Sequence, residues 1–473
     1  MSASKVRAAP PTRSYGSGAR ILSIGIASTG LLTFAYFSIA SHVLGEHSAK
    51  RIDLLWSVMF VIISVIYRPI EQLLSRTIAA RRARGHAEHP LRVPMLIQGG
   101  FALAFLAVAL GLQEVLVDEV FEGQQALYDV LVVGTLAYAA SYFARGWLAG
   151  HQLFGLFGGL VLMESLSRLC FALAVAFGVA EGENVVALGI AAAPLVSLVV
   201  VPAAFARHRA ARVQRVRDGR VVRDNRVELA DGPITVDEAD AALAGPGTEG
   251  VQEAAAHDEL SLRRGGLFAV AVSSIMLAEQ TLLNAAVLTV DATSADRALA
   301  GIVFNVLLIA RAPLQLFQAI QTSLLPHLTG LEATAGHRAF ARAVRTTLLA
   351  VLAFAAAVSL GLLVIGPFVM EHIFFGQDYN YGRVGLALIG VGMGLHLASG
   401  ALNQAALARD RARAAACCWL LAGVLFLGWM FTPAVSDQLL RTEIGYAGAT
   451  CVLALALGIL YRAGSRGAPP ENA

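Results

Sequence analysis

The stretch TTLLAVLAFAAAVSLGLLVIGPFVM, from Thr346 to Met370, runs 25 residues without a charged side chain. A helix of that length crosses the roughly 30 Å hydrocarbon core of a bilayer, which needs about 20 apolar residues. Similar runs predict helices over Ile21–Leu44, Leu54–Ile78, Pro94–Leu112, Ala126–Leu148, Phe154–Val179 and Val185–Phe205. After a hydrophilic interval the pattern resumes over Leu267–Val290, Ala298–Leu325, Val384–Leu407, Ala414–Phe431 and Ile444–Tyr461. The expected fold is therefore an all-α polytopic membrane protein with about twelve spans.

Composition agrees. The chain is 57% hydrophobic and 15% charged, against about 25% charged in soluble domains. A net charge of +3 gives no reason to expect a nucleic-acid partner. Cys170, Cys417, Cys418 and Cys451 fall within apolar runs without metal-ligand spacing, and read as small packing residues. No metal site and no cofactor is expected. The first apolar run is longer than the core of a signal peptide, so it reads as an uncleaved first helix.

Arginine and lysine choose the side. With the N-terminus in the cytosol, 28 of the 36 fall on inner segments, among them Arg76, Arg81, Arg82, Arg84 and Arg145, and five fall on outer loops. The positive-inside rule then places both termini in the cytosol and supports an even number of spans in the cytoplasmic membrane. The organisation expected is a tail at 1–20, an N-lobe at 21–205, a linker at 206–265, a C-lobe at 266–462 and a tail at 463–473. The linker opens with eight arginines and then turns acidic and rich in Ala and Gly. It reads as a disordered cytosolic connector, with an electrostatic contact to anionic lipid as the other reading.

Six helices, a linker and six more in equal orientation suggest a duplicated transporter with its pseudo-two-fold axis along the membrane normal. Arg68-Pro69 before Glu71 and Gln72 parallels Arg311-Ala312-Pro313 before Gln315 and Gln318, each with an arginine ahead of a helix-breaking proline. Leu148-Ala149-Gly150-His151 parallels Leu407-Ala408-Arg409-Asp410.

Charges deep in a span are costly and usually face a bundle interior or a cavity. Arg68 and Glu71, Glu164 and Arg168, Glu279 beside Gln280, and Arg311 all lie near mid-helix. Glu164 and Arg168, spaced i, i+4 with the acid first, read as a structural ion pair. Arg311, Gln315, Gln318 and Thr322 draw a polar stripe on the eighth helix, and Ser273, Gln280 and Asn284 draw one on the seventh. Such stripes line a hydrophilic cavity or serve as interhelical glue. In a cavity Arg68 and Arg311 suit a diphosphate, because a guanidinium engages phosphate bidentately. Glu279, and with it Glu71, are candidates for a coupling proton or cation.

Pro313-Leu314-Gln315 through Leu325-Pro326-His327-Leu328-Thr329 resembles the eighth-helix region of the multidrug, oligosaccharidyl-lipid and polysaccharide (MOP) exporter superfamily. Ile365-Gly366-Pro367 through Phe374-Phe375-Gly376-Gln377-Asp378-Tyr379 is similar to a signature that follows the ninth helix there. Twelve spans resemble the polysaccharide flippase branch. The resemblance implies a MATE-like, V-shaped pair of lobes that moves a polyprenyl-diphosphate-linked oligosaccharide to the outer leaflet by alternating access. It also implies cavity residues on the first, second, seventh and eighth helices, where Arg68 and Arg311 fall. The partners it implies are the lipid-linked oligosaccharide, membrane lipids, and the glycosyltransferases and polymerase of the same pathway.

Other classes remain. A major-facilitator or multidrug small-molecule exporter shares the plan, although the Gly-Asp-Arg-Gly loop pattern of the former is replaced by Arg81-Arg82-Ala83-Arg84-Gly85-His86. A membrane enzyme is not expected, since no nucleophile, metal cluster or phosphate-cradling loop stands at meaningful spacing. A transport-dead scaffold of polysaccharide assembly is the third alternative.

Overall fold

The computed structural model describes residues 15–84, 91–202, 261–293, 297–334, 336–370 and 381–466. They form α1 (Tyr15–Val43), α2 (Glu46–Ile66, resuming as Arg68–Ala83), α3 (Arg92–Gly111), α4 (Gln125–Gly150), α5 (Phe154–Ala176) and α6 (Glu183–Ser197). The second set is α7 (Leu262–Thr293), α8 (Arg297–Thr334), α9 (Gly336–Val369), α10 (Arg383–Ala408), α11 (Ala412–Met430) and α12 (Gln438–Arg466). Among the described residues nine of these helices are long and apolar enough to cross a membrane by length and composition. The expected 206–265 linker lies outside the described residues except for its last few positions, as does the Phe374–Tyr379 segment.

The helices pack as two lobes with one plan. In the first half α1 lies on α5, α2 on α4, α4 on α6 and α5 on α6; in the second α7 lies on α11, α8 on α10, α10 on α12 and α11 on α12. Each lobe has its own apolar core, around Ile52, Leu55, Met59, Leu131 and Ile190 in one and Val272, Leu307, Leu386, Trp419 and Leu453 in the other. This is a duplicated six-helix unit.

α4 ends with Leu153 N–H donating to Leu148 O and Gln152 N–H to Ala149 O, both at 2.9 Å, and Gln152 has φ +59°. α10 ends with Arg411 N–H donating to Ala406 O at 2.9 Å and Asp410 N–H to Leu407 O at 3.2 Å, with Asp410 at φ +60°. Both are Schellman turns with a non-glycine residue in the left-handed position. His151 therefore corresponds to Arg409 and Gln152 to Asp410, one residue away from the alignment suggested by the letters.

The two prolines of the repeat also behave differently. At Pro69 the missing N–H and the ring's clash with the preceding turn break α2 at Tyr67, so Arg68 begins a new helical piece. Pro313 and Pro326 lie inside the uninterrupted α8; packed neighbours in a membrane bundle tolerate such prolines. The expected symmetry of helix breaks is thus absent. Cys170, Cys417 and Cys451 are likewise not packing residues, for they lie exposed on helix surfaces.

The second half of α2 sits against α4 through two glycines four residues apart. A Cβ on Gly146 would stand 2.9 Å from both Cα and O of Glu71, and one on Gly150 would stand 2.7 Å from Cβ of Ile78. Small residues at this spacing let helix backbones approach closely in membranes. The approach brings Glu71 beside Arg145.

The lobes touch where the second half of α2 meets α7 and α8, and where α1 meets α8. Leu73 of α2 enters the core of the second lobe. Arg76 Nη1 lies 3.0 Å from Asp410 Oδ1, and its guanidinium stands over the Phe268 ring. These ties close the end of the bundle that carries both ends of the paired lobes, Tyr15 and Arg466. At the other end Arg51 binds Glu183 at 2.7 Å and Glu122 at 3.0 Å, fastening the first lobe internally.

Candidate functional site

A cavity of about 610 Å³ opens in the first lobe between α1, α2, α4 and α5, with α8 of the second lobe contributing Gln318 and Thr322. Its charged lining consists of Arg68, Glu71, Arg145, Glu164 and Arg168, and its aromatic walls include Trp56, Phe60, Tyr138, Tyr142 and Phe157. All five charged groups except Arg145 are less than one-tenth exposed. Three cations face two anions, so the cavity carries a positive surplus.

The break at Pro69 places Arg68 at the floor of this cavity, where its Nη2 reaches Gln321 Oε1 of α8 at 3.5 Å. Glu71, one turn on, faces Arg145 and Arg68 and meets the Thr322 hydroxyl across the lobe seam. The floor of the cavity is thus also part of the closure between the lobes.

Glu164 does not pair with Arg168, although the i, i+4 spacing suggested it. Its carboxylate accepts from Arg145 of α4 and from Ser141, with Ser197 of α6 at 3.4 Å. A guanidinium arriving from a neighbouring helix outcompetes one on the same helix because α4 presents Arg145 and Ser141 together. Arg145 also stands 4.5 Å over the Tyr142 ring. Arg168 turns instead to neutral partners, donating to Tyr138 Oη and Ser165 Oγ at 3.0 Å each and stacking 4.3 Å over Trp56.

Sequence position does not single out Arg145 as a site residue, because it lies near the end of its helix among the positive charges assigned to the inner side. Its signal was available: Ser141 and Arg145 stand one turn apart on a span that also carries Tyr138 and Tyr142. Of the other expected residues, Gln318 lines the cavity. Arg311 and Gln315 lie on α8, but their side chains are outside the described set. Gln280 and Asn284 are not among the lining residues; Asn284 Nδ2 donates to Gln280 Oε1 at 3.1 Å.

Glu279 is buried in the second lobe, with Oε1 3.8 Å from His396 Nε2 and within electrostatic range of Arg68. The other ring nitrogen of His396 is 3.1 Å from Tyr446 Oη. The structure therefore separates two polar groups, an arginine-rich one in the first lobe and an acid–imidazole pair in the second, with Arg68 between them.

Taken together, the architecture is the two-lobed, twelve-helix fold of MATE transporters in the MOP superfamily. A MOP superfamily transporter from Pyrococcus furiosus superposes with a TM-score of 0.69 at 14% identity, covering 96% of this chain and 95% of that one. A Vibrio cholerae MATE transporter superposes with a TM-score of 0.66 at 16% identity, covering 97% and 99%. A multidrug resistance MATE family transporter in an outward-facing conformation gives 0.67 at 14% identity, covering 96% and 95%. No family model matches the sequence, and no curated protein matches it.

Proposed function

We propose that this chain is a membrane transporter of the flippase kind, moving a polyprenyl-diphosphate-linked oligosaccharide across the cytoplasmic membrane by alternating access. The observation that carries the reading is the cavity lining, in which three arginines, Arg68 and Arg168 buried and Arg145 partly so, outnumber two buried carboxylates among aromatic walls. In a low-dielectric pocket a guanidinium attracts a phosphate far more strongly than in water. Aromatic faces beside it offer flat apolar surfaces to sugar rings. The Pyrococcus furiosus neighbour has a binding pocket of reverse polarity, which suggests a different function for that protein.

In this reading the lobes are closed on the cytosolic side, where Arg76 and Asp410 meet. The second reading is multidrug export, favoured by the multidrug resistance neighbour and by the aromatic walls. A cationic drug, however, gains nothing from a positive surplus.

The experiment is the leaflet accessibility of a labelled polyprenyl-diphosphate sugar in proteoliposomes. Movement by the native chain, lost in Arg68→Ala while that variant stays folded in the membrane, supports the flippase. Transport of lipophilic cations with no movement of the lipid-linked sugar assigns the multidrug reading instead.

A further inference from the structure

The duplicated lobes show which buried charges the fold requires. Counted from the first residues of α5 and α11, Phe154 and Ala412, Glu164 and Arg168 correspond to Ala422 and Phe426. Counted back from the matched Schellman turns, Tyr138 and Arg145 correspond to His396 and Asn403. The second lobe thus builds the same packing of its fourth, fifth and sixth helices with no arginine at these places. Buried charge there is not a demand of the architecture.

Within the first lobe the arginines are not equivalent. Arg145 is neutralised by Glu164. Arg168 is 5% exposed, and its bonds go to the hydroxyls of Tyr138 and Ser165. Its Nε is buried without a hydrogen-bond partner, and among the described residues no carboxylate lies within ion-pair distance of it. A buried cation without a counter-ion is strongly disfavoured. Here two hydroxyls and the Trp56 face hold the guanidinium at the wall of a cavity large enough for a ligand.

We propose that Arg168 is the anion-binding residue of this cavity, with Arg68 as the second cation on the same lining, and that its ligand is a phosphate-bearing lipid head group. The Arg145–Glu164 pair supports the site and does not bind. That the phosphate is the diphosphate of the carried lipid rests on the flippase reading; the head group of a resident phospholipid shares the chemistry.

Trp56 supplies the readout, since an anion on Arg168 alters the ring stacked against it. The full chain is placed in phosphatidylcholine nanodiscs and titrated with farnesyl diphosphate, inorganic pyrophosphate or farnesol, following tryptophan emission with Trp56→Phe as the control. Both phosphates should give a saturable change that Trp56→Phe removes, and farnesol should give none. Arg168→Gln should weaken farnesyl diphosphate binding by about tenfold or more, the scale of charge-assisted hydrogen bonds. A smaller loss, or an equal response to farnesol, overturns the assignment. If Arg168→Gln does not fold, the native chain decides, because pyrophosphate leaving Trp56 emission unchanged overturns it as well. Nanodiscs containing phosphatidylglycerol separate the sources: the same Trp56 change without added diphosphate assigns the site to a resident phospholipid. Binding is read without transport, so diphosphate binding at Arg168 in a protein that moves no lipid removes the flippase reading and leaves the site standing.

Discussion

Arg76 of the first lobe and Asp410 of the second meet at 3.0 Å across the lobe seam, with Asp410 about half exposed. Exposure limits such a pair to under about 1 kcal/mol. Alternative conformations of one protein commonly differ by only a few kcal/mol, so even this bias is visible in the populations of closed and separated lobes. Asp410→Asn is expected to enrich the separated state by about two- to fivefold. Spin labels on either side of the seam, measured in liposomes, report the distance distribution. An unchanged distribution would show that the apolar contacts, Leu73 in the second core and Phe268 under Arg76, hold the closure alone.

The Arg145–Glu164 pair makes a stronger demand. Glu164 is 2% exposed, so Glu164→Gln removes the hydrogen-bonded ion-pair partner of Arg145 inside the lobe and leaves only Glu71 facing it, at a cost of about 3 kcal/mol, the low end for a broken buried pair. The second lobe indicates the remedy, since it carries Asn403 and Ala422 at the matching places. Arg145→Asn combined with Glu164→Ala should recover most of the loss in thermal unfolding in detergent. Equal loss in single and double variants would show that the serine hydroxyls on Glu164, not the guanidinium, set its contribution.

The fold was legible because membrane solvation is a coarse constraint: runs such as Thr346–Met370 leave one structural solution. Arg68 and Glu71 were legible for the same reason, as charges where hydrocarbon forbids them. Pairing was not. Glu164 and Arg168 satisfy a helix-surface rule, yet burial hands Glu164 to a residue nineteen positions earlier, a contact set by how α4 packs on α5. The repeat register slipped because Gln152 and Asp410 occupy left-handed positions that a glycine would have flagged.

Close packing of α2 on α4 carries its own test. Gly146 faces the backbone of Glu71, with Cα and O both 2.9 Å from where a Cβ would stand. Backbone cannot rotate aside, so Gly146→Val must push the second half of α2 off α4, costing about 1–3 kcal/mol. The shift also carries Glu71 away from Arg145. Gly159→Val, at a position with open space around it, is the matched control and should leave the unfolding temperature near its native value. Equal behaviour of the two variants would mean that the helices separate without penalty.

The matched turns allow backbone strain and lobe closure to be separated. Gln152 and Asp410 both sit near φ +60°, a region that costs a non-glycine residue roughly 1–2 kcal/mol, part of which glycine returns through its unfolded-state entropy. Gln152 has an exposed side chain, so Gln152→Gly should stabilise by about 0.5–1 kcal/mol and leave the lobe distance distribution untouched. Asp410→Gly gains the same backbone relief and loses the carboxylate on Arg76, so it should stabilise its own lobe while shifting the lobes apart as Asp410→Asn does. Thermal unfolding reads the first effect and spin-label distances the second. If Asp410→Gly leaves the distances native while Asp410→Asn does not, the turn's conformation, and not its charge, governs how the second lobe meets Arg76.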